Sequence, residues 1–100
     1  MEKEIVWTTT AKKQLFEILD YWRNRTKTLR YGEELLDGLD YTFSILQHSP
    51  KIGRKTNIEG VYLKPFKRNF LIVYQFNEKE IVILNFWDVR QNPKRNSYLK

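Results

Sequence analysis

The spacing of apolar and polar positions changes along this chain, and each change predicts an element. Alternation over residues 3–8 predicts a short strand with Ile5 and Trp7 on one face. From about residue 10 to residue 25, apolar side chains recur at helical spacing, which predicts an amphipathic helix. The threonines at 8–10 offer hydroxyl oxygens for its N-cap. The first half therefore begins as a strand followed by a helix.

A second helix is expected over residues 30–48, after a polar break at 26–29. Ser49-Pro50 ends this helix, because proline lacks an N–H and restricts the residue before it. Two helices joined by so short a link form an antiparallel hairpin. The apolar stripe of the second helix consists of Leu35, Leu39, Phe43 and Leu46.

Three strands are predicted in the second half, after a loop at residues 52–60. They cover residues 61–66, 69–76 and 80–87. Pro65 indicates that the first of them is an edge strand or carries a bulge. The last contains four consecutive apolar residues, which is typical of a strand covered on both faces, so we expect it to be central.

The predicted order is β-α-α-β-β-β, an α+β fold occupying residues 1–100 as one domain. The helical hairpin is expected to pack on one face of a small, mainly antiparallel four-stranded sheet. The other face is expected to stay partly open and to carry the functional site. Trp7, Trp22 and Trp87 are expected to be core residues, and Trp87, at a strand end, is the strongest candidate among them for a surface contact.

Charge is distributed unevenly along the sequence. Residues 1–50 contain seven Lys/Arg against eight Asp/Glu, whereas residues 51–100 contain eleven against four. A one-sided positive field favours nucleic acid, the ribosome or an acidic protein as partner, although solubility alone is an alternative explanation. The absence of cysteine and of long apolar runs predicts a cytoplasmic protein without a membrane segment.

Several classes of catalyst are excluded by the residues present. No G-x-G-x-x-G or Walker A pattern occurs, and one histidine without cysteine excludes the usual zinc sites. We expect neither a metal nor a cofactor. Asp40, Ser44 and His48 lie close together near the end of one helix without a nucleophile elbow, so a catalytic triad is rejected. His48 is interpreted as a residue favoured by the helix dipole.

A cluster of basic and phenolic side chains remains. Metal-independent RNA cleavage needs a base, an acid and a group that stabilises the phosphorane, and Lys, Arg and Tyr can supply these roles. The alternatives are a solvated turn, a frayed tail and an ion pair between Arg90 and Asp88. The candidates are Lys64, Lys67 and Arg68 around one turn, and Arg90, Lys94, Arg95 and Tyr98 after the last strand.

Four local patterns resemble the RelE/ParE toxins, often called plasmid-stabilisation proteins. The most specific is Phe86-Trp87-Asp88-Val89-Arg90-Gln91-Asn92-Pro93 near the end of the chain. The others are Trp7-Thr8 leading into Ala11-x-x-x-Leu15, the segment Ser49-Pro50-Lys51-Ile52-Gly53, and Phe70-Leu71-Ile72-Val73-Tyr74. The resemblance spans nearly the whole chain.

This resemblance implies the toxin of a type II toxin–antitoxin pair. RelE-like members cut messenger RNA in the ribosomal A site, whereas ParE-like members poison DNA gyrase. For a nuclease, the resemblance assigns catalytic roles to Lys64, Lys67, Arg90 and, approximately, Tyr98. Leu71 stands where an arginine is usual, which removes a phosphate-binding group.

The leading interpretation is a toxin that inhibits growth by a ParE-like, gyrase-directed or other non-nucleolytic route. Arg68, Lys94 and Arg95 are then the candidates for target or nucleic-acid binding. A ribosome-dependent mRNA endonuclease and an inactive binding module remain alternatives, so enzymatic activity stays open. The expected partner is a small acidic antitoxin, which would occupy a groove beside the helices or the edge of the Pro65 strand.

Overall fold

The structure, a computed structural model, describes residues 2–91, 95, 96 and 98. Its elements follow the predicted order, with one strand added. They are β1 (Glu4–Trp7), α1 (Thr9–Thr26), α2 (Arg30–His48), β2 (Arg54–Lys55), β3 (Tyr62–Phe66), β4 (Phe70–Phe76) and β5 (Glu80–Asp88). None of these helices is long and apolar enough to cross a membrane.

The two ends of α1 are fixed by local chemistry. The Thr8 hydroxyl accepts a hydrogen bond from the Ala11 N–H at 3.1 Å, so Thr8 is the N-cap. At the other end, Lys27 adopts a left-handed conformation with φ of 59°, and its N–H bonds to the Arg23 carbonyl. The chain can therefore reverse within three residues and begin α2 at Arg30.

The sheet is five-stranded and mixed, with the order β1-β5-β4-β3-β2. The predicted four-stranded sheet is therefore wrong in number, because Arg54 and Lys55 pair with Leu63 and Tyr62 inside the expected loop. β1 runs parallel to β5, and the remaining pairings are antiparallel. β5 lies between β1 and β4, so its predicted central position is confirmed.

Two glutamines bond to backbone at the β1 side of the sheet. β1 pairs with β5 only as far as Ile83. Further along, the Gln14 side-chain oxygen of α1 accepts a hydrogen bond from the Phe86 N–H at 2.8 Å. The Gln47 amide of α2 donates to the Lys3 carbonyl at 2.7 Å. Helical side chains thus satisfy backbone groups where the strand ladder stops.

On the opposite side of the sheet, next to the short strand β2, part of β3 is left as an edge. Because β2 pairs only with Tyr62 and Leu63, the rest of β3 has no further strand beside it among the described residues. Pro65 supplies no N–H there, and the Lys64 ammonium lies 3.4 Å from the Pro65 carbonyl oxygen. The predicted edge position of the Pro65 strand is confirmed for this part only.

The core lies between the helical hairpin and one face of the sheet, as predicted. It joins the buried α2 stripe to the inward side chains of the strands. Phe70 and Phe86, on neighbouring strands, stack with ring centroids 5.1 Å apart. The strand residues of the core are Phe66, Phe70, Ile72, Tyr74, Ile81, Ile83 and Phe86.

The other face is less open than predicted. Val73 and Asn85 are both buried, although they lie outside the main core cluster. Asn96, also buried, donates to the Asn85 side-chain oxygen at 2.8 Å and so bonds the C-terminal segment to the sheet. Trp87 is only 6% exposed, so its expected burial is confirmed and it is not a surface contact.

Candidate functional site

Arg90 lies just beyond β5 and is held by the last residue of that strand. Its Nε and Nη2 atoms donate to the two carboxylate oxygens of Asp88 at 3.0 and 2.6 Å. The Arg90 backbone N–H also donates to Asp88, at 2.9 Å. These bonds from Arg90 lower the pKa of Asp88, and the same pairing raises the pKa of the guanidinium. The ion pair that the sequence allowed is confirmed.

The guanidinium also rests against the end of α1. Its central carbon is 5.6 Å from the centroid of the Trp22 ring, within cation–π range. Trp22 in turn stacks on Tyr31 of α2, with ring centroids 4.6 Å apart. Burial raises the pKa of the Tyr31 phenol. Sequence patterns did not single out Tyr31, because only the folded hairpin brings it to the end of β5.

An open recess of about 570 Å³ lies between α1 and the end of β5, and we call it the Arg90 recess. Its walls include aromatic side chains and the ion pair of Asp88 and Arg90. Because Nε and Nη2 already donate to Asp88, that edge of the guanidinium is occupied, and a ligand would meet only the donors left on Nη1 and Nη2. Its lining residues are Gln14, Glu17, Ile18, Tyr21, Trp22, Phe86, Asp88, Arg90 and Gln91.

The basic residues of the β3–β4 turn lie outside this recess. Lys67 has φ of 52°, and its ammonium lies 5.9 Å from the centroid of the Phe66 ring. Arg68 is exposed, whereas Lys64 is half-buried on β3. The turn does share an end of the sheet with Arg90, because the Val89 N–H donates to the Asn69 carbonyl at 2.7 Å.

Arg95 and Tyr98 line a different cavity, of about 380 Å³, near the start of α1. The Tyr98 backbone N–H donates to the Asn96 side-chain oxygen at 3.0 Å. Lys94 lies outside the described residues. The Arg90 recess contains neither Tyr98 nor the two lysines proposed for catalysis, so the structure does not gather the four nuclease candidates in that cavity.

Leu71 occupies an apolar environment in the middle of the sheet. It is half-buried and pairs with Pro65 on β3 and Trp87 on β5. Leu71 stands where the resemblance leads one to expect the arginine of a nuclease. It adds apolar surface to that face of the sheet and supplies no cation.

The segment Ser49–Gly53 has a structural role. The buried Tyr74 hydroxyl donates to the Pro50 carbonyl at 2.7 Å and accepts from the Gly53 N–H at 3.0 Å. A Cβ on Gly53 would lie 2.5 Å from that hydroxyl oxygen, so only glycine fits. Burial raises the pKa of Tyr74. This part of the resemblance therefore reflects packing of the loop against β4.

A helical hairpin on a mixed sheet, with basic side chains around one end of the sheet, defines a small basic α+β domain. Residues 5–93 match the family described as "ParE toxin of type II toxin-antitoxin system, parDE". The chain belongs to this family and is the toxin component of such a system, so the toxin of a type II toxin–antitoxin pair predicted from the sequence is confirmed. Its partner is accordingly an antitoxin.

The fold also occurs in a solved structure titled "Chromosomal ParDE TA system from P. aeruginosa". The two chains superpose with a TM-score of 0.73, covering 88% of this chain and 97% of that chain at 22% sequence identity. At that identity the likeness shows the fold alone. A search of curated proteins gave no match.

Proposed function

We propose that this toxin acts by the ParE-like route, against DNA gyrase, and does not cleave RNA. The observation that carries the proposal is the engagement of Arg90 by Asp88 and Trp22. In a metal-free nuclease, a preorganised cation must meet the charge that develops on the phosphate. Here the cation is already neutralised by a carboxylate of its own chain.

A phosphate could take the place of Asp88 only by leaving that carboxylate without its partner. The Asp88 side chain is 13% exposed, so the unpaired charge would be poorly hydrated. Such an exchange would oppose catalysis. Leu71 supports the same conclusion, because it supplies no second cation that could compensate.

The target contact in this proposal uses cations that are free to meet an external surface. Arg68 and Arg95 are exposed, and neither makes an ion pair within 4 Å among the described residues. Exposed guanidinium groups bind carboxylates or DNA phosphates through two parallel hydrogen bonds. Lys94 is adjacent in sequence and is assigned to the same contact.

The proposal is tested by following DNA and RNA separately. Purified gyrase, supercoiled plasmid and the toxin are combined, and cleaved plasmid is measured after protein digestion. In parallel, toeprinting on translating ribosomes detects cuts in the A site. We expect cleaved plasmid and intact messenger RNA. Arg68→Glu and Arg95→Glu should each reduce plasmid cleavage, whereas the exposed residue Arg54, changed to glutamate, serves as the matched control.

Two outcomes would contradict the proposal. Cuts in the ribosomal A site by the unaltered toxin would establish the endonuclease alternative despite Leu71. Normal growth on expression of soluble toxin, with neither DNA nor RNA broken, would support the inactive binding module.

A further inference from the structure

The outer side of the helical hairpin carries an apolar groove that nothing in the described chain covers. Phe16 on α1 is 55% exposed, and Leu29 before α2 is 62% exposed. Leu36 on α2 is 42% exposed. Together with Leu19 and Gly32 these residues line a groove of about 300 Å³, which we call the hairpin groove. Exposed apolar side chains that meet in one groove make it a candidate interaction site.

The two rims of the groove carry opposite charge. On α1, Lys12 and Lys13 precede Phe16 by four and three residues, so they lie on the same side of the helix. On α2, Asp37 and Asp40 come one and four residues after Leu36 in the sequence. Glu33 lines the groove itself. Within the described chain, none of these five charges has an ion-pair partner within 4 Å.

Two further pairs of charges on the hairpin are neutralised within their own helices. Arg23 pairs with Asp20 on α1 at 3.3 Å, and Arg30 pairs with Glu34 on α2 at 3.3 Å. The α1 rim is therefore net basic, and the α2 rim is net acidic. This acidic rim is unusual in a chain whose net charge is +6.

We propose that the hairpin groove is a self-association surface, occupied by the hairpin groove of a second copy of this chain. The inference goes beyond the action on gyrase and does not depend on it. A two-fold interface brings the same patch of both copies together, so a patch with one basic and one acidic rim can complement itself.

The charges also select the geometry. Hairpins can pack face to face about a two-fold axis running across the helices, which places α1 on α1 and joins like charges. An axis running along the helices instead places α1 of one copy on α2 of the other, so each basic rim meets an acidic rim. Only the second arrangement is electrostatically favourable.

The positions of the charged residues along the two helices fit this arrangement. α1 and α2 touch where a Cβ on Gly32 would lie 3.3 Å from Leu19. Lys12 lies seven residues before Leu19, and Asp40 lies eight residues after Gly32. In antiparallel helices that rise about 1.5 Å per residue, both are at the same end of the hairpin. Rotation about an axis parallel to the helices does not change the position of a residue along them. Lys12 of one copy therefore approaches Asp40 of the other.

An acidic antitoxin fits this surface less well. Its charge is complementary to residues 51–100, which carry the positive excess of the chain, and it would be repelled by the α2 rim. Self-association through the hairpin leaves the sheet and its basic margins available to other partners.

The test uses paired charge reversals in toxin made by cell-free synthesis. The α1 variant carries Lys12→Glu and Lys13→Glu, and the α2 variant carries Asp37→Lys and Asp40→Lys. Sedimentation equilibrium at low salt should show a dimer for the unaltered chain. Each variant alone should associate about tenfold more weakly or worse, because both rims then carry one sign. Mixed in equal amounts, the two variants should form a heterodimer, because both contacts again join opposite charges.

The matched controls separate this surface from general charge effects and from misfolding. Arg54→Glu with Lys55→Glu changes the net charge as the α1 variant does and should remain a dimer. Leu36→Gln should weaken association, whereas Ile58→Gln, at a residue of similar exposure (43%), should not. Circular dichroism confirms that each variant keeps its helices.

A monomeric unaltered chain, or α1 and α2 variants that ignore each other when mixed, would overturn the proposal. So would a Leu36→Gln variant that dimerises normally but binds the antitoxin more weakly, because the groove would then belong to the antitoxin.

Discussion

The pairing of Arg90 with Asp88 makes a quantitative prediction about stability. In a double-mutant cycle, Asp88→Ala, Arg90→Ala and the double variant are compared with the unaltered chain. If Arg90 serves mainly to hold the end of β5 against α1, then the two single changes remove the same interaction. Their effects on the free energy of unfolding should therefore not add.

The expected magnitude follows from geometry and exposure. The pair is bidentate, with Asp88 13% exposed but Arg90 51% exposed, so solvent screens it. An exposed pair contributes about 0.2–1 kcal/mol, and the bidentate geometry favours the upper end, about 1 kcal/mol. The contact with Trp22 adds about 0.5–1 kcal/mol for Arg90 alone. Arg90→Ala should thus lower the free energy of unfolding by about 1.5–2 kcal/mol.

The pH dependence has a defined sign. The folded protein lowers the pKa of Asp88 below its ordinary value of 3.8. A lowered carboxyl pKa contributes stability that is fully present above the ordinary value and is lost as the pH falls through the folded value. The coupling between Asp88 and Arg90 should accordingly be constant near neutrality and disappear only in strong acid.

Urea unfolding of the four proteins, followed by tryptophan fluorescence, measures this coupling. Strictly additive effects at neutral pH would refute the structural role of the pair. Loss of toxicity in Arg90→Ala with no loss of stability, together with full toxicity in Asp88→Ala, would show that Arg90 acts on an external ligand instead.

Two further predictions concern the scaffold. Tyr74→Phe leaves the Pro50 carbonyl and the Gly53 N–H without their partner, so it should lower the free energy of unfolding by about 1–3 kcal/mol. The loss should appear as a lower midpoint in urea unfolding, and an unchanged midpoint would mean that water replaces the hydroxyl. Thr8→Ala removes the N-cap bond to Ala11 and should lower the free energy of unfolding by about 1 kcal/mol. Amide hydrogens in the first turn of α1 should then exchange faster, and unchanged exchange there would contradict the capping role.

The helices and the long strands could be predicted from sequence because each carries its own periodicity. β2 could not, since two charged residues have no alternation and become a strand only when β3 lies beside them. The same limit applies to the sheet face on which Trp87 lies, because the hydrogen bond from Asn96 to Asn85 joins the C-terminal segment to that face only in the folded chain.

Side-chain placement was predictable only where partners are close in sequence. The pairing of Arg90 with Asp88 spans two residues and was among the stated alternatives. The stacking of Trp22 on Tyr31 depends on the turn between the helices, and the approach of Arg90 to Trp22 depends on the packing of α1 against β5. No local pattern encodes either contact. The site roles of the lysines and of Tyr98 remain predictions.

The glutamines that bond to the margins of the sheet bear on how the chain behaves without its antitoxin. Unpaired strand edges would then template edge-to-edge aggregation. Gln14 and Gln47 occupy backbone groups on one side, and Pro65 withholds a donor on the other. These contacts reduce the unpaired backbone that each margin of the sheet offers to the edge of another chain.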